Sequence, residues 1–237
     1  MIILCIIPAR SGSKGIFHKN IKLFHDKPLL AWSINQAQKS NYDMRIIVST
    51  DSQQYATIAN NYGAETPFLR PSDISQDLST DYECIKHCLD WLKNNENYIP
   101  HIVLQLRPTQ PLRNIETIDK CLDIFIQNRN NYDSLRTVIE FEKSPYKMYN
   151  IVDNQLLPLF TEINNIKEPY NQCRQVLPKT YLHNGYIDIF NADIINNNTI
   201  SGLNIYPFIM NKWDVIDIDT DDDWIKAENS YKNKIIL

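Results

Sequence analysis

The sequence predicts an α/β fold, a doubly wound and mainly parallel sheet with helices on both faces. Three observations predict it. The chain opens on Ile2-Ile3-Leu4-Cys5-Ile6-Ile7, a short β-branched run without charge, as in strands buried on both faces of a parallel sheet. Similar runs alternate with helical patterns as far as Ile139, the order that wraps a parallel sheet in helices. The 237 residues, 43% of them hydrophobic, suffice for one large domain with a full core.

The first strand leaves the sheet at its carboxyl edge, where open α/β folds bind ligands. The exit loop is Pro8-Ala9-Arg10-Ser11-Gly12-Ser13-Lys14-Gly15, continuing to Lys19-Asn20. Two glycines and two serines let backbone N–H groups approach a phosphate closely. Arg10, Lys14 and Lys19 add three positive charges, a composition that suits a triphosphate. The spacing is neither GxxxxGK[ST] nor GxGxxG. A basic, flexible turn also accounts for it.

Pro28 opens a helix in its first turn, with Leu29, Leu30, Ile34 and Ala37 on one buried stripe. Arg45 to Thr50 is the second strand. Asp51 stands at its end, before a helix through Tyr55, Ala56, Ile58 and Ala59. A loop runs from Phe68-Leu69-Arg70-Pro71 to Thr80. By spacing alone Arg70 reads equally as a solvated surface residue. Tyr82 to Trp91 is helical, with Ile85, Cys88 and Leu89 on one side. Ile102 to Leu106 is a central strand. It ends in Arg107-Pro108-Thr109-Gln110-Pro111-Leu112-Arg113, where two prolines fix an extended turn at the sheet edge. A helix over Ile115 to Phe125 and a strand over Ser134 to Ile139 follow.

There the alternation stops. Residues 150–180 are polar and rich in Asn, with short apolar pieces such as Leu156-Leu157 and Leu159-Phe160. They read as an insertion that leaves the sheet, and a flexible surface excursion has the same composition. Tyr181-Leu182-His183-Asn184-Gly185 returns the chain, with Asn184-Gly185 as a hairpin or bulge turn. Ile187 to Phe190 continues as strand, and Asn196-Asn197-Asn198 is a loop. Trp213 to Thr220 reads as a strand that puts Asp217 and Asp219 on one side. Two such carboxylates repel, and a cation between them relieves it. Thr220 caps a closing helix, and Asp221, Asp222 and Asp223 complement its dipole.

A net charge of −4 argues against general nucleic-acid binding. No apolar run is long enough to span a bilayer. The opening strand lacks the basic flank and cleavage site of a signal peptide. The five cysteines form no CxxC, and Cys84 and Cys88, one helical turn apart, have no second pair to complete a metal site. Buried free thiols in a reducing cytoplasm fit this usage.

The first loop, Pro8 to Gly15 with Lys19-Asn20, resembles the signature of sugar cytidylyltransferases, most closely the acylneuraminate (CMP-sialic acid) synthetase family. It departs at Phe17-His18, where the family usually has Pro-Gly. Tyr62 to Pro71 resembles the family's YGAxxPFxRP segment. Arg107 to Arg113 resembles QPTSPLR, with Arg107 for Gln and Gln110 for Ser. Ser144 to Met148 matches SPYKM. Arg174-Gln175-Val176-Leu177-Pro178 with Tyr181 and Asn184-Gly185 resembles RQxLPxxYxxNG. The resemblance runs from about residue 3 to residue 230.

It implies a Rossmann-like domain of the nucleotide-diphospho-sugar transferase type over residues 1–237. An arm at about 145–180 would build a homodimer and reach over the neighbour's site. The implied reaction is CTP plus a nonulosonic (sialic-type) acid giving the CMP-sugar and pyrophosphate. Ala9, Arg10, Ser11, Gly12, Ser13, Lys14 and Lys19 would hold the triphosphate. Asn20, Arg70 and Thr80 would hold the nucleoside, with Arg107, Pro108 and Thr109 beside it. Gln110, Lys147, Arg174, Gln175, Tyr181, Asn184 and Gly185 would hold the acidic sugar. Asp217 and Asp219 would bind Mg²⁺ and, with Arg10 and Lys14, form the catalytic set. Arg107 is an added charge, expected to meet a phosphate or a substrate carboxylate. It keeps open a related nucleotidyltransferase acting on another acidic sugar, a sugar phosphate or a phosphonate. A non-catalytic nucleotide-binding protein of the same fold is the remaining alternative.

Overall fold

A computed structural model describes the backbone of residues 1–236 and the side chains of residues 1–232. β1 (Ile3–Pro8) is an interior strand of the main sheet, buried on both faces as its composition predicts. After it come a 3₁₀ turn at Lys19–Ile21 and a small hairpin, β2 (Leu23–Phe24) with β3 (Lys27–Pro28). α1 (Leu29–Gln38) buries the expected stripe, and Pro28 stands at its N-cap. β4 (Arg45–Ser49) leads to α2 (Gln53–Asn61), capped by the Ser52 hydroxyl. α3 (Asp81–Glu96), β5 (Ile102–Gln105), α4 (Ile115–Asn128) and β6 (Ser134–Glu140) follow in the predicted order.

The insertion contains two short hairpins, β7 (Tyr149–Val152) with β8 (Gln155–Pro158), and β9 (Glu162–Ile163) with β10 (Ile166–Lys167). Its asparagines have a local cause. Asp153-Asn154 and Asn164-Asn165 have positive φ at both residues of each pair, as tight hairpin turns require. β11 (Tyr181–Asn191) then returns antiparallel to β6, and the Phe141 N–H donates to the Thr180 carbonyl at 2.9 Å. The arm is therefore the long loop of a β6–β11 hairpin. Its apolar residues Ile151, Leu156, Leu157, Leu159 and Phe160 stay exposed.

The main sheet has the order β12-β6-β11-β5-β1-β4, with β12 at Ile205–Met210. β1 runs parallel to β4 and β5, and β12 runs parallel to β6, while β11 opposes both its neighbours. Alternate residues of β1 feed two cores. Ile3, Cys5 and Ile7 pack with α1, α2 and α4, and Leu4 and Ile6 pack with α3. A third cluster joins Phe24 and Leu29 to Ile218 and Trp224. It docks α5 (Asp221–Ile236) beside the first loop.

Three expectations change. Trp213 to Thr220 is not a strand: a 3₁₀ turn at Lys212–Asp214 is followed by extended chain without a ladder. The position beside β6 is taken by β12, and the segment is tied instead by the Ile218 N–H donating to the Thr109 carbonyl at 2.9 Å. The Asn196 to Asn198 loop is the end of a 3₁₀ helix over Ala192–Asn197, whose Ala192, Ile194 and Ile195 are buried on the α3 side. Four cysteines are buried free thiols, but Cys173, on the arm, is exposed.

Candidate active site

The first loop is held from several directions. The Ser11 N–H and hydroxyl both donate to Asp51, at 2.8 and 2.7 Å, so the end of β4 fixes the end of β1. Asn20 is buried and its amide donates to the Arg10 carbonyl at 3.0 Å. Lys19 Nζ reaches the Ile218 carbonyl and Asp219 Oδ1, each at 2.7 Å. A Cβ on Gly15 would collide with the Asp219 carbonyl, whereas one on Gly12 would meet nothing within 4 Å. Gly15 thus serves close packing against residues 218–219. Arg10 and Lys14 point outward and share one counter-ion, Asp77, at 3.1 and 2.5 Å.

These residues enclose a cavity of about 390 Å³ at the carboxyl edge of β1. Of the sites expected for nucleotide, Arg10, Ser13, Lys14, Lys19, Asn20, Arg70, Thr80, Arg107, Pro108 and Thr109 line it, together with Asp219, expected at the metal. Ala9, Ser11 and Gly12 do not: Ala9 is buried and Ser11 is turned onto Asp51. Five of the lining residues are cations and two, Asp81 and Asp219, are anions, so the cavity suits a polyanion.

Arg70 is buried rather than solvated, and its Nε and Nη2 have no hydrogen-bond partner among the described residues. Thr80 caps α3: its hydroxyl accepts from the Glu83 N–H, and Glu83 accepts from the Thr80 N–H. The S/T-x-x-E signature was legible in the sequence.

Asp217 retains accessible surface, yet the protein packed around its carboxyl pushes its pKa up, with Asp219 adding to the effect. A hydrogen bond with Thr109 and the charge of Lys19 oppose this. The charge of Asp219 is thus felt at Asp217, although no strand holds the two on one face. Among the described residues no group of three His, Cys, Asp or Glu side chains is placed to hold a metal. This pair would supply two protein ligands at most.

Arg107 does not carry a free charge into the cavity. Its guanidinium donates to Asp81 and Asp188, each at 2.6 Å, and to the Gly185 carbonyl at 3.3 Å. A half-buried cation needs such neutralisation, and two aspartates provide it. Asp188 also meets His183 Nε2 at 2.7 Å. Burial alone would push the Asp188 carboxyl up, but the His183 hydrogen bond and the Arg107 charge outweigh it and hold its pKa at about 2.

The residues expected at the sugar are divided. Gln110 is buried, and its amide donates to the Asn184 carbonyl at 3.1 Å. Asn184 is buried in the β11 bulge, accepting from Thr137 Oγ1 at 2.7 Å and the Tyr186 N–H at 3.0 Å. Gly185 takes φ +63°, and a Cβ there would come within 3.2 Å of Arg107. These three hold the bulge and none lines the cavity. Lys147 donates to the Gln172 carbonyl on the arm. With Arg174 it lines a second cavity of about 350 Å³ that shares no residue with the first. Gln175 and Tyr181 are exposed. Within one chain the arm residues do not join the first cavity, because the β6–β11 hairpin carries them away from the sheet edge.

The residues that sequence reasoning missed are mostly counter-ions: Asp77, Asp81 and Asp188, with His183. Arg113 is another. It is buried, and its guanidinium spans the Tyr186 carbonyl, Gln36, Ser33 and the Arg107 carbonyl. Burial lowers its pKa to about 10. It braces the turn from which Arg107 and Thr109 project.

Residues 4–186 match the family described as cytidylyltransferase. The chain is 33% identical to the post-translational flagellin modification protein B of Campylobacter coli, over 98% of this chain and 96% of that one. It is 34% identical to the CMP-N,N'-diacetyllegionaminic acid synthase of Legionella pneumophila, over 96% of this chain and 95% of that one. A solved CMP:2-keto-3-deoxy-manno-octonic acid synthetase complexed with CTP superposes with a TM-score of 0.71, covering 99% of this chain and all of that one. At 14% identity that likeness is one of fold, and it agrees with the Rossmann-like architecture.

Proposed function

This chain belongs to the cytidylyltransferase family, and from that premise we propose that it transfers CMP from CTP to a nonulosonic, sialic-type acid with release of pyrophosphate. One observation carries the reading: three loop cations and a buried arginine with free donors converge on one cavity at the carboxyl edge of β1. The relative named as a CMP-N,N'-diacetyllegionaminic acid synthase, matched over nearly its whole length, supports a sugar acid as acceptor.

In this reading Arg10, Lys14 and Lys19 hold the triphosphate. Arg70 offers its free N–H groups to the carbonyl oxygen of cytosine. The sugar's anomeric hydroxyl attacks the α-phosphorus in line. The new C–O–P bond forms as the bond to the β-phosphate oxygen breaks, and the pyrophosphate charge is met by the loop cations. Positioning and charge stabilisation do most of the work.

Asp217 and Asp219 fit a divalent cation, Mg²⁺. Their oxygens are hard donors, one of them has its pKa pushed up, and Mg²⁺ typically takes one or two carboxylates and completes its shell with phosphate and water. When bound, it supplies charge neutralisation at the phosphates and favours loss of the proton from the attacking hydroxyl.

Among the described residues no helix is long and apolar enough to cross a membrane. Cysteine usage supports a cytoplasmic location. The exposed apolar arm supports a homodimer through residues 145–180, in which Lys147 and Arg174 serve the neighbour's site. The ion pairs of Arg107 with Asp81 and Asp188 leave a phosphorylated acceptor without its main support.

The test is pyrophosphate release with each of four nucleoside triphosphates against a panel of nonulosonic acids and sugar phosphates. Turnover is expected with CTP and a nonulosonic acid. Equal use of purine triphosphates, or turnover with sugar phosphates alone, would refute it.

A further inference from the structure

Asp77 stands on a turn slung between two anchored residues. On one side Arg70 is buried and its N–H donates to the Thr50 carbonyl at 2.7 Å. On the other Thr80 caps α3. The turn between bonds mainly to itself. The Gln76 N–H donates to Ser79 Oγ, the Ser79 N–H donates to the Gln76 carbonyl, and Leu78 is 94% exposed. From this loosely held turn the Asp77 carboxylate spans to the first loop. One oxygen takes Arg10 and the other takes Lys14. Among the described residues it is the only carboxylate paired with either cation. Lys19, deeper in the cavity, has Asp219 instead.

We propose that Asp77 is an internal stand-in for the triphosphate: it occupies Arg10 and Lys14 until nucleotide displaces it, and takes them back as pyrophosphate leaves. The proposal rests on the reading of Arg10 and Lys14 as phosphate ligands. Its logic is one of charge. Two cations held side by side repel each other, and a carboxylate with one oxygen on each relieves this. A triphosphate carries more charge and more acceptor oxygens, so it wins the exchange. Both ion pairs are solvent-exposed, Lys14 by 77% of its side chain, so each is weak enough to open. The hydrogen bond from Lys14 holds the Asp77 carboxyl below its ordinary pKa, which keeps it an anion in competition with phosphate.

A stand-in and a scaffold predict opposite signs. If Asp77 merely positioned Arg10 and Lys14, its loss would weaken anion binding. If it competes, its loss strengthens binding of substrate and product alike. The variants are Asp77→Asn and Asp77→Ala, with Lys14→Ala and the Asp77→Asn/Lys14→Ala double variant. Affinities for CTP and for inorganic pyrophosphate are measured by calorimetry in EDTA. Hydrogen exchange is followed over residues 72–79.

Both Asp77 variants should bind CTP and pyrophosphate about fourfold more tightly, from two exposed pairs worth about twofold each. The gain should shrink in the Lys14→Ala background. CTP should speed exchange in the wild-type turn, as the pairs open, and should not change it in Asp77→Ala. Unchanged or weaker binding in both Asp77 variants, beside a clear loss in Lys14→Ala, overturns the stand-in and leaves the phosphate reading intact. Lys14→Ala with wild-type affinity for both anions removes the phosphate reading, and the stand-in with it.

Discussion

Gly15→Ala isolates the contact between the first loop and the carboxylate segment. Gly15 does not lie in the left-handed region of backbone space, so alanine is conformationally allowed there and any effect is steric. The new Cβ would fall well inside 3.0 Å of the Asp219 carbonyl, a separation that real Cβ atoms do not show. Backbone rather than a flexible side chain stands in the way, so residues 217–219 must retreat by roughly 1 Å, a misplacement that can cost about 10²-fold in rate. Asp219 also pairs with Lys19, so the shift would disturb together the cation proposed for the triphosphate and a carboxylate proposed for the metal. Overpacking of this kind destabilises by about 1–3 kcal/mol. In a chain of this size that lowers Tm by about 2–12 °C. The expected result is a kcat/KM for CTP down about 100-fold in a protein that still unfolds cooperatively. Gly12→Ala is the control, because its Cβ would meet nothing within 4 Å and activity should stay near wild type. Pyrophosphate-release kinetics and thermal unfolding on both variants decide it. Wild-type kcat/KM in Gly15→Ala, or equal losses in the two variants, would refute the packing argument.

Arg70→Ala should weaken CTP binding and erase a wild-type preference for CTP over UTP; a wild type indifferent to the base would sink the assignment. Asp219→Asn should lose activity by orders of magnitude, and Asp217→Asn should be impaired and need more Mg²⁺. Asp222→Asn, on α5, should be nearly silent, and full wild-type turnover in excess EDTA would end the metal reading. Sedimentation should show a dimer that Leu156→Asp weakens; a fully active monomer at micromolar concentration would count against the arm. Asp188 should make stability acid-sensitive. Its pKa is held at about 2, below the ordinary 3.8, so its contribution is complete above about pH 4 and is lost as pH falls toward 2. Acid unfolding of Asp188→Asn should lack that component while being less stable at neutral pH; a parallel pH profile would contradict it.

The parallel half of the fold was legible because burial on both faces leaves its mark on composition. β1 shows no charge in sequence, and Leu4 to Ile7 have no exposed surface. The arm was legible only as an interruption. Its strands are two to four residues long and the apolar side chains of the longer pair, such as Ile151, Leu156 and Leu157, face out, so no periodicity reports them. Trp213 to Thr220 misleads for a related reason. Alternating charge suits extended backbone, but a strand also needs a free neighbour, and β12 already holds the place beside β6.

The site divides along the same line. Cations announce themselves in sequence, because a loop holding Arg10, Lys14 and Lys19 is basic whatever surrounds it. Their counter-ions do not. Asp77 lies 67 residues from Arg10, and Asp219 lies 200 residues from Lys19, so each pairing exists only once the sheet edge is assembled. Arg107 shows what this costs a reader of sequence. Alone, a charge beside the nucleotide strand suggests a second anion in the substrate. In the fold the same guanidinium lies between Asp81, at the first turn of α3, and Asp188, in the middle of β11. Asp188 is only 3% exposed and could not stay ionised there without a partner. The arginine and the two aspartates therefore form one electrostatic unit. It ties the helix that starts at Asp81 to the strand that carries the bulge of Asn184 and Gly185. An extra positive charge in a site becomes an argument about the substrate only after the protein's own anions have been counted against it.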